Sequence, residues 1–115
     1  MQLREPKPQN LAYEDFAKLE IATGLVIAAE QVPKSKLLKL RVSFGDFGER
    51  TVLAGLSPHI KPEDILNTVI VAVLNLAPRE MKGIVSEAML LAAHTLDGGL
   101  ALVRCPGANE GKEIG

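Results

Sequence analysis

The sequence predicts an all-β domain, a small five-stranded Greek-key barrel with a short N-terminal helix. Three observations support this fold class. Residues 38–44 alternate strictly between apolar and polar side chains, which is the period of a half-buried strand. Residues 69–74 are wholly apolar, which is typical of a strand buried on both faces. Glycine and proline separate about six such short segments, a spacing typical of small barrels and sandwiches.

Composition indicates one globular domain with an aliphatic core. Of the 115 residues, 47% are hydrophobic, 23% are charged and 3% are aromatic. The scarcity of aromatic rings disfavours binding that depends on stacking several bases. The net charge is −1, so any affinity for nucleic acid must come from one face. With one cysteine, Cys105, and no apolar signal core, the chain is expected in the cytoplasm without membrane contact.

The N-terminal elements follow in order. Residues 1–12 contain two prolines and charged side chains and predict an extended arm, whereas residues 13–115 form the folded domain. Acidic residues open the segment 13–19, which predicts a helix of one or two turns. Residues 20–30 predict the first strand, in which Gly24 marks a bend or a point of close packing.

The alternating strand comes next and carries a basic outer face. Four of the eight residues from 34 to 41 are cationic and none is acidic. Lys39 and Arg41 face outward, opposite the apolar side chains of the strand. These cations can bind phosphate, or they can simply solvate the strand and discourage edge pairing. Composition alone favours solvation.

Turns and short apolar runs alternate over the rest of the chain. The further strands are expected at residues 50–54, 69–74, 85–93 and 100–104. The loops and turns are expected at residues 45–49, 55–62, 75–83 and 94–99. One helical turn is expected at 62–66, since Pro62 suits the first helical position. The residues after 104 predict an irregular tail.

Catalytic and metal-binding motifs are not found at workable spacings. His59 and His94 lie far apart, and Cys105 has no cysteine partner, so no zinc site is expected. There is no glycine-rich phosphate loop and no nucleophile elbow. Ser57 precedes His59 by two residues in a loop, which rarely gives an activated nucleophile. No enzyme, catalytic residue, cofactor or metal is therefore predicted. Size and strand count fit the oligonucleotide/oligosaccharide-binding barrel, the OB-fold.

Seven sequence blocks stand in the order of a known family. They are Asp15-Phe-Ala-Lys-Leu-Glu, Gly24-Leu-Val, Ser35-Lys-Leu-Leu-Lys-Leu-Arg-Val, Arg50-Thr-Val-Leu-Ala-Gly-Leu, Pro62-Glu-Asp-Ile-Leu, Ala72-Val-Leu-Asn-Leu-Ala-Pro-Arg-Glu-Met-Lys-Gly-Ile and Ser86-Glu-Ala-Met-Leu-Leu-Ala-Ala. Each block is weak, but the ordered series over residues 13–115 is specific. The chain resembles the tRNA-binding domain found at the C terminus of many methionyl-tRNA synthetases and in free-standing tRNA-binding proteins. Related versions occur in the endothelial-monocyte-activating polypeptide and in a chaperone-like bacterial secretion protein.

The resemblance implies an OB-fold that dimerises through a C-terminal extension and binds the outer corner of tRNA by shape. Ser86 and Met89 match the family's Ser-x-x-Met at the mouth of the tRNA site. Taken alone, they are more simply a strand-start hydroxyl and a core side chain. The residues that the resemblance implies for tRNA binding are Lys36, Lys39, Arg41, Arg50, Arg79, Lys82, Ser86 and Met89.

Two segments depart from the family pattern. Pro33-Lys-Ser-Lys replaces Pro-Asn-Ala-Asp-Lys, which is expected to alter the shape or contacts of that loop. Ser86-Glu-Ala-Met replaces Ser-Gln-Gly-Met, and Ala88 has less backbone freedom than glycine. Glu87 would place an anion near the phosphate site, at an expected cost of about 1 kcal/mol.

The predicted function is non-catalytic, structure-specific binding of tRNA. The chain would act as a homodimer, free-standing or joined to methionyl-tRNA synthetase, and would deliver or retain tRNA. The alternative is a chaperone-like dimer that binds protein in an apolar cleft, which the acidic pI of about 6.1 and the Glu87 substitution mildly favour. A purely structural dimerisation appendage is a third possibility. Residues 96–102 and the tail are expected to bury surface against the second copy.

Overall fold

The computed structural model describes residue 7 and residues 10–115, so most of the expected arm at 1–12 lies outside the described residues. The helices are α1 (Tyr13–Ala17) and α2 (Pro62–Ile65), and a single 3-10 turn spans Gly45–Phe47. The strands are β1 (Ile21–Gln31), β2 (Leu38–Ser43), β3 (Glu49–Ala54), β4 (Val69–Val73), β5 (Arg79–Met81), β6 (Ile84–Ser86), β7 (Met89–Leu90), β8 (Ala92–His94) and β9 (Leu100–Leu102).

Five of these strands form one antiparallel sheet in the order β3-β2-β1-β4-β7. The sheet curls until its edge strands, β3 and β7, lie side by side, which makes a nearly closed barrel. The pairs β5–β6 and β8–β9 form separate two-stranded hairpins. The predicted five-stranded barrel with a short N-terminal helix is therefore confirmed.

The alternation of β2 is observed as predicted, because β2 lies between β1 and β3 with one face on the core. Its inward side chains, and that of Phe44 after it, are fully buried, whereas Arg41 is exposed and Lys39 is half-buried. The inner faces of β1 and β4 complete a core of Val, Leu, Ile and Ala with one buried ring, that of Phe44. Full burial of each large aliphatic side chain contributes about 1.5–3 kcal/mol to the free energy of unfolding.

β1 pairs with both β2 and β4 because it bends. Residues 21–25 pair with β4 and residues 25–31 pair with β2, and the register shifts by one residue between Val26 and Ala28. A bulge of this kind bends a strand and increases its twist. Gly24 is a point of close packing, as the sequence suggested. A Cβ atom there would lie 2.5 Å from side-chain atoms of Phe44 and Val42.

The chain between β4 and β9 differs from the prediction. Residues 75–83, expected to be a loop, contribute β5 to a hairpin with β6 that turns at Lys82 and Gly83, both at positive φ. Residues 85–93, expected to be one strand, are divided among β6, β7 and β8. This segment contains no glycine or proline to mark a change of direction, so local pattern alone could not reveal the breaks.

The C-terminal tail, expected to be irregular, packs against the first residues of β1. The Thr23 hydroxyl donates to the Asn109 carbonyl at 2.7 Å and accepts from the Lys112 amide at 2.9 Å. The Thr23 backbone also bonds with Lys112 and Gly111, at 2.9 and 2.7 Å. Since β2 pairs with β1 only from Leu25 onward, the tail covers the stretch of β1 that β2 does not reach.

Candidate nucleic-acid interface

Lys39 and Arg41 project from the outward face of β2 over the neighbouring strands. Lys39 Nζ lies 3.8 Å from Glu30 Oε1, and Arg41 Nε lies 3.3 Å from Glu49 Oε1. Arg41 Nη1 also donates to Thr51 Oγ1 at 3.1 Å. Both cationic side chains are close to half exposed, at 42% and 45%. Exposed ion pairs of this kind contribute about 0–1 kcal/mol, so a phosphate can replace either carboxylate at small cost.

A shallow groove of about 340 Å³ runs beside these two cations. Small side chains of β1, Ala28 and Ala29, form part of its lining, so a strand of ligand backbone can approach the sheet closely. Lys36 is exposed in the β1–β2 loop, where its carbonyl accepts from the Ser57 amide at 3.1 Å. That bond ties the loop to the segment after β3.

Two more cations lie on the β5–β6 hairpin. Arg79 begins β5 and Lys82 occupies the turn, and both side chains are exposed. Within the described part of the chain, neither Arg79, Lys82 nor Lys36 forms an ion pair. Their charges are therefore available to an anionic partner without displacement of a carboxylate.

A larger cleft, of about 530 Å³, opens between β3, the β5–β6 hairpin and β7. Its lining is mainly aliphatic, with Leu53 on β3 and Met89 on β7 among the contributors, and Arg79 and His94 add polar atoms. The Met89 side chain is 48% exposed, so it is not a core residue. The structure thus brings Arg79, Ser86 and Met89 together around one cleft.

The Ser86 hydroxyl is turned into the protein rather than toward a ligand. Ser86 is 6% exposed. Its Oγ accepts from the Leu53 amide at 3.0 Å and donates to the Ala88 carbonyl at 3.1 Å. Both hydrogen-bonding capacities of the hydroxyl are used within the fold, so Ser86 shapes the cleft through the backbone of its neighbours.

Arg50 likewise binds backbone groups. Its Nη1 donates to the Leu74 carbonyl at 2.6 Å and to the Glu87 carbonyl at 3.2 Å. Arg50 lies on the same face of β3 as the buried Val52, opposite the face from which Thr51 meets Arg41. The structure therefore does not bring Arg50 together with the cations of β2.

Glu87 contacts β3 with both its side chain and its backbone. Its Oε1 accepts from the Thr51 amide at 3.1 Å, and its own amide donates to the Thr51 carbonyl at 2.9 Å. The sequence prediction placed this carboxylate near phosphate and named neither Thr51 nor Leu53. The spacing of two residues within the predicted strand 50–54 is the signal that could have placed Thr51 and Leu53 on one face of β3, opposite Arg50 and Val52.

The β8–β9 turn holds a carboxylate whose pKa is shifted. The pKa of Asp97, in the β8–β9 turn, is lowered by a hydrogen bond from the Thr95 hydroxyl and by the Gly99 amide. Among the residues that the structure describes, no three His, Cys, Asp or Glu side chains are grouped to hold a metal ion. The described helices are all too short or too polar to cross a bilayer.

The chain is similar to part of several methionine–tRNA ligases. It is 46% identical over 114 residues to the ligase of Cytophaga hutchinsonii and 42% identical over 100 residues to that of Parabacteroides distasonis. These matches cover 96% and 86% of this chain but 16% and 15% of the ligases. The chain thus spans about a sixth of the length of the curated relatives it matches, and it corresponds to their non-catalytic C-terminal part.

Solved structures and a family model agree with this relationship. The MetRS-related protein from Pyrococcus horikoshii superposes with a TM-score of 0.85 at 33% identity, covering 93% of this chain and 99% of that one. The chaperone CsaA from Bacillus anthracis superposes with a TM-score of 0.83 at 29% identity, covering 92% and 99%. Residues 21–111 match the family model described as "Putative tRNA binding domain". The chain belongs to this tRNA-binding domain family.

Proposed function

We propose that this domain binds tRNA by its shape and sugar-phosphate contour and retains or delivers it for methionyl-tRNA synthetase, in the cytoplasm. The observation that carries the proposal is the distribution of cations around two adjoining surfaces. Lys39 and Arg41 line the groove of β1 and β2, with Lys36 exposed in the β1–β2 loop, and Arg79 lines the cleft, with Lys82 exposed in the turn of the same hairpin. β3 lies between these two sets, so one folded RNA can touch both.

The proposed site residues divide into those that contact the RNA and those that hold the surrounding backbone in place. The five cations Lys36, Lys39, Arg41, Arg79 and Lys82 contact phosphates, which position an RNA without reading its sequence. Met89, half exposed at the cleft, contacts sugar or base surface. Ser86 and Arg50 act indirectly, because their polar atoms already bind backbone groups. A surface with few aromatic side chains suits recognition of shape rather than stacking.

The test is a filter-binding comparison of tRNA with an RNA duplex of equal length. Wild type should prefer tRNA, and K36A/R41A should weaken tRNA binding about thirtyfold, since each of the two lost charge-assisted contacts removes roughly 1 kcal/mol. The matched control is K18A/K112A, which removes the same charge from α1 and the tail, where Lys18 and Lys112 are exposed. Equal affinity of wild type for tRNA and duplex would contradict the proposal.

Dimerisation is a second part of the proposal. Leu96, at the tip of the β8–β9 hairpin, is fully exposed, and Leu11 and Tyr13 at the N-terminal helix are nearly three-quarters exposed. Contiguous exposed apolar surface marks an interaction site, and the proposal is that these side chains contact the second copy. Light scattering at micromolar concentration should give twice the mass of one chain, and a monomer mass would contradict a homodimer.

A second candidate function is chaperone-like binding of protein segments. Two observations favour it, the aliphatic lining of the 530 Å³ cleft and the similarity to the CsaA chaperone. This activity predicts an affinity for unfolded polypeptide that does not fall with salt, together with no binding of tRNA. If the domain is only a dimerisation appendage, K39A/R41A will change no binding at all.

A further inference from the structure

Side-chain hydrogen bonds and one backbone hydrogen bond join residues 86 and 87 to the edge of β3. β3 is an edge strand of the five-stranded sheet, and edge strands present unpaired amides. Thr51 and Leu53, two residues apart, direct their amides to the same edge, where Glu87 Oε1 and Ser86 Oγ accept from them at 3.1 and 3.0 Å. We call the contacts of residues 86 and 87 with β3 the seam.

Arg50 reinforces the seam from the other face of β3. Its guanidinium donates to the carbonyl of Glu87 and to that of Leu74, at the end of β4. The backbone of Glu87 is therefore held by Arg50 and by Thr51, while its carboxylate holds the Thr51 amide. The amide, the carbonyl and Oε1 of Glu87 therefore all form hydrogen bonds with residues of β3.

The seam controls the placement of the β5–β6 hairpin. Ser86 ends β6 and Glu87 follows it directly, so the hairpin with Arg79 and Lys82 enters the barrel through these two residues. Met89 begins β7 two residues further on. A change in the seam would move both hairpin cations and the Met89 side of the cleft relative to Lys39 and Arg41.

We infer that Glu87 is a positioning residue for tRNA binding, an inference that rests on the function proposed above. Its carboxylate binds the Thr51 amide and thereby holds the hairpin cations in register with those of β2. This role differs from the repulsion of phosphate expected from sequence. An anion already paired with a backbone amide is stabilised in place, and its oxygen serves as an acceptor that a neutral amide oxygen can replace.

Four substitutions of Glu87 distinguish a role of its carboxylate as a hydrogen-bond acceptor from a role as a negative charge. E87Q and E87A remove the same charge, but only E87Q keeps an oxygen that reaches the Thr51 amide. E87D keeps the charge but shortens the side chain, and E87K reverses the charge. We expect E87Q to bind tRNA within about twofold of wild type, and the other three variants to bind about three- to tenfold more weakly, as loss of one hydrogen bond implies. The matched controls are E80Q and E80A, at the exposed Glu80 of β5. These two variants should bind tRNA with equal affinity.

The exchange rate of the Thr51 amide proton provides a readout independent of RNA. We expect protection in wild type and E87Q, and faster exchange in E87A and E87D. Tighter tRNA binding by E87A or E87K, or equal binding by E87Q and E87A, would overturn the inference. If wild type itself failed to bind tRNA, the proposed function would fall and the inference with it. That outcome is distinguishable because every variant would then be equally inactive.

Discussion

Ser86 shows how much the role of one side chain depends on its hydrogen-bonding partners. A hydroxyl at the mouth of a cleft is well suited to contact a ligand, but this one lies 6% exposed between an amide and a carbonyl. Buried polar groups that lose a partner destabilise a protein by more than the partner contributed. The effect of Ser86 on tRNA binding should therefore be accompanied by an effect on stability.

The S86A variant tests this coupling. Removal of Oγ leaves the Leu53 amide without its acceptor, so we expect the free energy of unfolding to fall by about 1–3 kcal/mol. Urea denaturation provides the measurement. The control is S43A, since Ser43 makes no side-chain hydrogen bond among the described residues and should change stability by less than about 0.5 kcal/mol. Equal stability of S86A and wild type would contradict the assigned role.

Gly24 is a second residue whose smallness matters. A Cβ atom at this position would lie 2.5 Å from Phe44 Cε1 and from Val42 Cγ1, inside the core. We expect G24A to lower the free energy of unfolding by about 1–3 kcal/mol, the usual cost of overpacking. G55A is the matched control, because nothing lies within 4 Å of its Cβ position. Thermal melting of both variants compares the two sites directly.

At the scale of elements, the C-terminal tail pairs with the first residues of β1, as a neighbouring strand would. Glu113 forms an isolated β-bridge with Ala22, and the Ile114 amide donates to the Ile21 carbonyl at 2.8 Å. The tail lacks the alternation that would have predicted this pairing. Its backbone finds partners because the first residues of β1, 21–24, extend past the end of β2.

T23V should loosen the tail while preserving the shape of the side chain. The variant loses the hydroxyl that bonds with both Asn109 and Lys112, so the amide protons of Gly111 and Lys112 should exchange about tenfold faster or more. T95V is the control, since the Thr95 hydroxyl bonds with Asp97 inside the β8–β9 turn. Unchanged exchange in T23V would show that the backbone bonds alone hold the tail.

At the scale of the whole molecule, charge is nearly balanced and only its distribution favours RNA. With a net charge of −1, long-range attraction for a polyanion is weak, and affinity must come from local contacts with phosphates. Contacts of this kind release counterions, so their number determines how steeply binding falls with salt. The groove, the β1–β2 loop and the β5–β6 hairpin together present five candidate contacts.

Salt dependence therefore measures how many of these contacts form. If three to five phosphates are neutralised, log K for tRNA plotted against log salt should have a slope of about −2 to −4. K36A/R41A should make the slope shallower by about 1 to 2, whereas K18A/K112A should leave it unchanged. A slope near zero in wild type would contradict phosphate binding and would favour the protein-binding alternative.

The sequence by itself determined the β class, the aliphatic core and the outward direction of Lys39 and Arg41. These features depend on local alternation, because successive side chains of a strand point to opposite faces. The order of family blocks added the relationship to tRNA-binding domains. Strand β5 and the division of residues 85–93 among three strands were missed, since neither segment has a local pattern that marks where pairing begins and ends.

Only the tertiary structure decided the roles of Arg50, Ser86 and Glu87. Their hydrogen bonds across the seam join residues 33 to 37 positions apart, and no local pattern specifies which backbone group will face a side chain over that separation. Which strand edges meet depends on how the whole sheet curls and closes. The physical reason is that periodicity determines the direction of a side chain, whereas closure of the barrel determines its partner.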